Sequence, residues 1–187
     1  MIYRCPWSEG DDLMSNYHDK EWGVPLRDDR KIFEFMVLDA FQAGLSWKTI
    51  LHKRANFEQA FDNFEPKIIA NYGMKKYKQL LRDSGIIRNR AKIQATITNA
   101  QKFLEVQAEV GSFYKYIWQF VDDRPVVNNC KNLEDFPTKS ELSDRISRDL
   151  VKRGFKFVGT TITYSFLEAA GLLNNHFYKC FRYSELL

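Results

Sequence analysis

The sequence predicts an all-α fold, and three observations carry that prediction. Apolar residues recur at helical spacing along most of the chain. Glycine and proline, at 9 and 5 residues in 187, are sparse. No segment alternates apolar and polar side chains as a half-buried strand does; "RPVVNN", in the loop around residues 122–137, is too short.

The elements follow in order. Asp28 or Asp29 is placed to cap a helix "RKIFEFMVLDAFQAG" running to about Gly44, and a second helix covers Trp47 to Phe61. Pro66 suits the first position of the helix "KIIANYG". From Arg90, the run Ile93, Ile97, Ala100, Leu104 marks a long helix, and Ser112 is placed to cap "FYKYIWQFV". Thr138 and Glu141 have the spacing of a capping box, opening a helix that Gly154 ends. A last helix spans Thr160 to Ala170 and stops at Gly171, which gives seven to nine helices in all. Residues 1–27 and 171–187 lack clear periodicity and need something to hold them.

Composition narrows the class. An aromatic share of 15 %, within 44 % hydrophobic residues, places the chain among globular proteins. A length of 187 residues suits one domain, 1–187. The start "MIYRCPWSEGDD" has no apolar h-region and no run of 18 apolar residues occurs, which predicts a cytoplasmic protein without a membrane partner. A net charge of +4 permits an acidic partner without requiring one. Three cysteines, an odd number, argue against a disulfide framework and leave thiols or metal ligands.

Four such residues sit at the two ends. Cys5 and His18 lie near the start; His176 and Cys180, spaced i, i+4 as on one face of a helical turn, lie near the end. Two thiolates and two imidazoles make a tetrahedral set suited to zinc, and a site with four protein ligands is closed and structural. By spacing alone, ordinary buried Cys and His residues are the competing reading. A metal-dependent hydrolase is disfavoured, because a closed site has no open position for water and the remaining histidine, His52, reads as a surface residue.

Residues 75–94, "KKYKQLLRDSGIIRNRAKIQ", carry Lys75, Lys76, Lys78, Arg82, Arg88, Arg90 and Lys92 against Asp83 alone. Ser84-Gly85-Ile86-Ile87-Arg88 interrupts two helical segments. A tight turn there would aim backbone N–H groups at phosphate, with the flanking cations adding sequence-independent attraction. The bland alternative is a solvated helix face. A second basic run, 145–157, would extend the footprint.

The stretch "VLDAFQAGLSW", 37–47, sets Asp39 among apolar neighbours, on a face with Phe35, Met36, Gln42 and Ala43. A buried carboxylate needs a partner: a ligand, or a helix N-terminus, Tyr or Trp of the protein itself.

These pieces, "YHDKEWGVP" (17–25), "QAGLSW" (42–47), "SGIIRNRAKI" (84–93), "KRGFKFVGTT" (152–161) and "NHFYKC" (175–180), resemble in order the 3-methyladenine DNA glycosylase I (Tag) family over nearly the whole chain. The resemblance implies a helix-hairpin-helix glycosylase fold with the hairpin at about 77–95. It also implies structural zinc on Cys5, His18, His176 and Cys180, tying residues 1–27 to 171–187. The implied reaction is monofunctional hydrolysis of the N-glycosidic bond of 3-methyladenine in alkylated double-stranded DNA, by a monomer, after the base is flipped into a pocket. Positions matching Tyr17, Trp22, Trp47 and Trp7 would wall that pocket. Gly44 and Leu45 would fill the gap in the stack, and Gly85, Ile86, Arg88, Arg90 and Lys92 would hold the DNA. The family carries a glutamate where this sequence has Asp39, and an aromatic where it has Met14. Those two departures motivate the alternative of a catalytically silent module that binds damaged DNA.

Overall fold

The computed structural model describes residues 2–131 and 135–187, so residues 132–134 of the expected loop lie outside the described part. Its elements are helical apart from one short parallel pair. Helix α1 spans Asp12–Lys20, α2 Asp29–Gln42, α3 Trp47–Ala60, α4 Pro66–Ile69, α5 Met74–Leu80 and α6 Arg90–Val110. Then come α7 Phe113–Trp118, α8 Glu141–Lys152, α9 Thr160–Ala169 and α10 Phe181–Glu185.

Helix α2 is the axis of the core. All its residues from Ile32 to Phe41 are buried, and it packs against α3, α6, α7 and α9. Phe33 meets Phe103 of α6 edge-on, and Phe41 meets Phe57 of α3, with ring centroids 5.1 and 4.8 Å apart. The acid pair before α2 divides its labour. Asp28 caps α2 by accepting from Lys31 N, while Asp29 accepts from Phe113 N and Tyr114 N and so caps α7.

Three local expectations change. The N-cap of α8 is Ser140, boxed with Ser143 rather than Thr138 with Glu141, because Ser143 Oγ reaches back to Ser140 N at 2.8 Å. "VV" of the 122–137 loop does pair: strand β1 (Val126–Val127) lies parallel to β2 (Leu173–Asn174). His176 and Cys180 do not share a helical turn. They flank an irregular turn, and Cys180 is the N-cap of α10.

Two close approaches fix the frame around the site. Residues 22–26 dock on the end of α9 through Gly23 N to Glu168 O and Leu26 N to Ala170 O. There Gly171, at φ +74°, lies so near Val24 that a Cβ would sit 2.3 Å from its carbonyl carbon. Between α5 and α6, the turn at Gly85 is pressed on α3: Lys53 Nζ donates to the carbonyls of Ser84 and Gly85. A Cβ on its glycine would meet the Asn56 side chain at 3.2 Å, a tight contact that Asn56 would have to yield to.

Candidate active site and metal cluster

A cavity of about 210 Å³ opens between α1, α2 and α9. Trp7, Tyr17, Trp22, Trp47 and Phe136 supply aromatic wall; Asp39, Gln42, Ser165 and Glu168 supply polar groups. Tyr17 packs on Trp47 with centroids 5.0 Å apart, and Trp7 meets Trp22 edge-on at 4.9 Å. Such walls stack planar rings and attract cations.

Asp39 is the anomaly of this cavity. It is 4 % exposed, its Oδ2 is fully buried, and no hydrogen bond from the described residues reaches it. Trp47 Nε1 is buried and equally bare. Among the described residues, neither a helix N-terminus nor a Tyr or Trp reaches Oδ2, so the intramolecular alternative is not realised there. Burial pushes the Asp39 carboxyl well above the ordinary aspartate range, and the nearby Glu168 carboxyl adds to the rise. Glu168, which no sequence pattern singles out, is pushed up to about 8 by burial, against a hydrogen bond from Asn175 that opposes the rise.

Beside the cavity, α2 ends in an exposed turn. Leu45 N donates to Gln42 O while Gly44 adopts φ +79°, which leaves Leu45 40 % exposed at the tip. A second hollow beneath Gly44 and Leu45 shares Asp39, Gln42 and Ser165 with the main cavity. The apolar tip and the buried carboxylate are thus two ends of one opening.

Behind the aromatic wall lies the second cluster. Cys5, His18, His176 and Cys180 are all buried, and their donor atoms lie within 4.8 Å of one another. Each imidazole turns one nitrogen inward and anchors the other: His18 Nδ1 to Asp19 at 2.8 Å, itself held by Arg4, and His176 Nε2 to the Trp22 carbonyl at 3.0 Å. Such outer partners fix tautomer and ring orientation at metal sites. The four residues form a group that could hold a metal ion.

The sequence profile of the family described as methyladenine glycosylase matches residues 7–183. The chain belongs to that family. DNA-3-methyladenine glycosylase 1 of Escherichia coli (strain K12) is 46 % identical over 177 residues, 95 % of each chain. A crystal structure of 3-methyladenine DNA glycosylase I superposes with a TM-score of 0.93 at 47 % identity, covering 96 % of this chain and 98 % of that one. A variant of 3-methyladenine DNA glycosylase I solved in complex with 3-methyladenine gives 0.91 at 36 % identity, with 95 % of each chain covered.

Set against this membership, the structure brings Asp39, Tyr17, Trp22, Trp47 and Trp7 together on one cavity, with Gly44 and Leu45 on its rim. Met14, where the family carries an aromatic, is buried outside the cavity lining. The basic region separates. Arg88 and Arg90 are exposed and have no acidic partner among the described residues; Lys75, Lys78 and Arg82 line one groove. Ile86 is buried in the core. The Gly85 N–H, expected to face phosphate, is already taken by Asp83 Oδ1 at 2.7 Å.

Lys92 requires a correction. It is 6 % exposed and donates from Nζ to the carbonyls of Phe41 and Ala43, at 2.8 and 2.6 Å. These are orphan acceptors at the end of α2, so the ammonium caps that helix and faces no solvent. Of the second basic run, Arg153 is committed to Asp149 and Glu109.

Glu168 and Phe136 carry no local sequence signal. Glu168 lies in the final turn of α9, where a charged residue reads as solvated surface; Phe136 comes from an aperiodic loop.

Proposed function

We propose that this chain is a monofunctional 3-methyladenine DNA glycosylase. The observation that carries the reading is Asp39: a buried carboxylate oxygen without a partner among the described residues, at an aromatic cavity beside an exposed apolar tip. A base flipped from the duplex would enter between Tyr17, Trp22 and Trp47, and Leu45 would stand in the gap it leaves. Alkylated adenine is cationic while attached to its sugar. Departure neutralises the ring, so the leaving group is good and the protein needs no strong nucleophile. Asp39 would accept a hydrogen bond from the base edge and stabilise positive charge on the departing ring and sugar, in a site where water is scarce. No Schiff-base lysine is required; Lys92, at the end of α2, is held by two carbonyls, and Lys48, which follows the turn, pairs with Asp11.

Helices α5 and α6 with their turn would act as a helix-hairpin-helix clamp on double-stranded DNA. Arg88 and Arg90 would supply phosphate contacts, and backbone groups of the turn would supplement them. A single domain over 1–187, acting as a monomer in the cytoplasm, fits this reading, and no helix among the described residues is long and apolar enough to cross a membrane.

The metal cluster suits zinc. Tetrahedral bonds of about 2.3 Å to sulfur and about 2.0–2.1 Å to nitrogen imply S···N separations of about 3.5 Å. Cys5 Sγ–His176 Nδ1, Cys180 Sγ–His18 Nε2 and Cys180 Sγ–His176 Nδ1 are 3.6, 3.4 and 3.5 Å. Zinc held by Cys5, His18, His176 and Cys180 would supply cross-linking of the two ends and no chemistry.

The catalytically silent alternative rests on Asp39 and Met14. Asp39 still faces the cavity and Met14 lies outside its lining, so neither favours it. Release of free 3-methyladenine from methylated DNA, followed chromatographically, tests the proposal. Wild type should release it. Asp39→Glu should retain release with altered lesion preference, since its oxygens advance by one methylene. Binding to abasic-site DNA with no release from either protein would replace the enzyme by the silent binder.

A further inference from the structure

Helix α9 faces α2 across the cavity, and Glu168 projects from it into the space that Asp39 borders. Its placement is built. Asn175 Nδ2 donates to Glu168 Oε1 at 2.7 Å and to the Tyr164 hydroxyl at 2.8 Å; Asn175 Oδ1 accepts from Asn128 Nδ2 at 2.6 Å. With Asn175 pinned at three points, Oε1 is fixed, and Oε2 has no hydrogen bond from the described residues. The geometry therefore presents one anchored carboxyl with a spare oxygen and, across the same cavity, Asp39, whose Oδ2 takes no hydrogen bond from the described residues.

We propose that Glu168 is a specificity-determining residue of this pocket, engaging the edge of the extruded base together with Asp39. The proposal rests on the glycosylase reading above. Two carboxyls lining one cavity between packed helices do not both ionise readily, so near neutrality the pair offers an acceptor and a proton-bearing donor. An adenine presents the matching edge, an amino donor at N6 beside an acceptor at N7. A guanine carries a carbonyl acceptor at the corresponding carbon and would leave the acceptor of the pair facing another acceptor. Burial and the neighbouring charge, which raise both carboxyls, supply the proton that the donor role needs.

The test uses the intact metal-loaded chain and methylated DNA, with 3-methyladenine and 3-methylguanine release measured separately. Glu168→Leu should lower 3-methyladenine release at least tenfold and change 3-methylguanine release much less, so that the ratio of their kcat/KM values narrows. Glu168→Gln, whose amide also offers a donor and an acceptor, should keep the wild-type ratio within about threefold at pH 7. Quenching of the pocket tryptophans by free 3-methyladenine should weaken in parallel for Glu168→Leu, with bound metal and Tm near wild type. A role confined to holding Asn175, next to the metal ligand His176, predicts instead metal loss and an equal fall for both lesions. That result overturns the proposal, as does a Glu168→Leu enzyme with an unchanged ratio. A wild-type chain that releases no 3-methyladenine at all overturns the glycosylase reading as well, which separates the two failures.

Discussion

The candidate metal cluster and the aromatic cavity share a wall: His18 follows Tyr17 in α1, and His176 packs edge-on against Trp22 with centroids 4.5 Å apart. Both regions bury polar side chains in aromatic surroundings, yet they treat them in opposite ways. In the cluster, each imidazole has an outward partner and the four donors converge on one another. In the cavity, Asp39 Oδ2 and Trp47 Nε1 have none among the described residues. Leaving a buried polar atom bare costs about 1–3 kcal/mol, so the pocket carries a destabilisation that the cluster avoids. Convergence without an open position marks a structural site, and bare groups around a cavity mark one that waits for a ligand. The contrast can be broken from either side.

The largest effect is expected at the closed side. A metal present at a thousand times its Kd stabilises by about 4 kcal/mol, which for a chain of this size lowers Tm on the order of 10 °C when the metal is removed. Chelation should therefore produce that fall, Cys180→Ala should reproduce it, and the variant should no longer respond to chelator. A thermal melt of wild type unmoved by a strong chelator would contradict the structural role.

At the open side the sign reverses. Asp39→Asn replaces a carboxylate whose Oδ2 takes no hydrogen bond from the described residues, so Tm should hold or rise, while 3-methyladenine release falls by about a hundredfold, the scale of losing one preorganised charge-stabilising group. A variant that lost both stability and activity would assign Asp39 to the fold instead.

Much of this division is legible in the amino-acid sequence. Asp39 stands out because a carboxylate at helical spacing among Val37, Leu38 and Phe41 has no local reason to be there. The long helices α2, α3, α6 and α9 follow from their apolar faces and end signals, including Gly154 and Gly171. Helix α1 escapes the periodicity because its buried face is Met14, Tyr17 and His18, and a histidine in that row erases the apolar pattern. The Ser140 cap lies two residues beyond the expected Thr138 because Thr, Ser and Glu in close succession offer competing boxes. Glu168 is illegible for a different reason. Nothing local distinguishes a glutamate that a distant loop, through Asn175, holds against a cavity from one that faces water.

Lys92 and Arg88 sharpen the comparison within the basic region, where the sequence pattern makes all cations look alike. Lys92→Met leaves the carbonyls of Phe41 and Ala43 without their donor, and should cost about 1–3 kcal/mol of stability with no change in the salt dependence of DNA binding. Arg88→Ala should do the opposite, leaving Tm in place while the slope of log K against log salt falls by about 1. A lower salt slope for Lys92→Met would return that lysine to the DNA surface.

The smallest expected effect isolates the cost of the pocket's second carboxyl. Glu168 titrates at about 8 in the folded chain against an ordinary value of 4.5. Its folded-state pKa is raised, so the native protein holds a proton that the unfolded chain has released between those values. Stability then declines as pH rises through that window, because ionising Glu168 costs more in the cavity than in water. Each pKa unit corresponds to about 1.4 kcal/mol at full burial. Because Glu168 is open to the cavity, the share lost between pH 6 and pH 8 should be discounted to on the order of 1 kcal/mol. Acid protonation of the metal ligands works in the other direction, destabilising at low pH, and masks the trend in wild type alone. The difference between wild type and Glu168→Gln cancels that contribution, since both retain Cys5, His18, His176 and Cys180. Denaturant melts of the two proteins at pH 6 and pH 8 should show the variant gaining relative stability at the higher pH. A difference that stays constant across the two would mean that Glu168 is already ionised at pH 6 and that the pocket tolerates two negative charges.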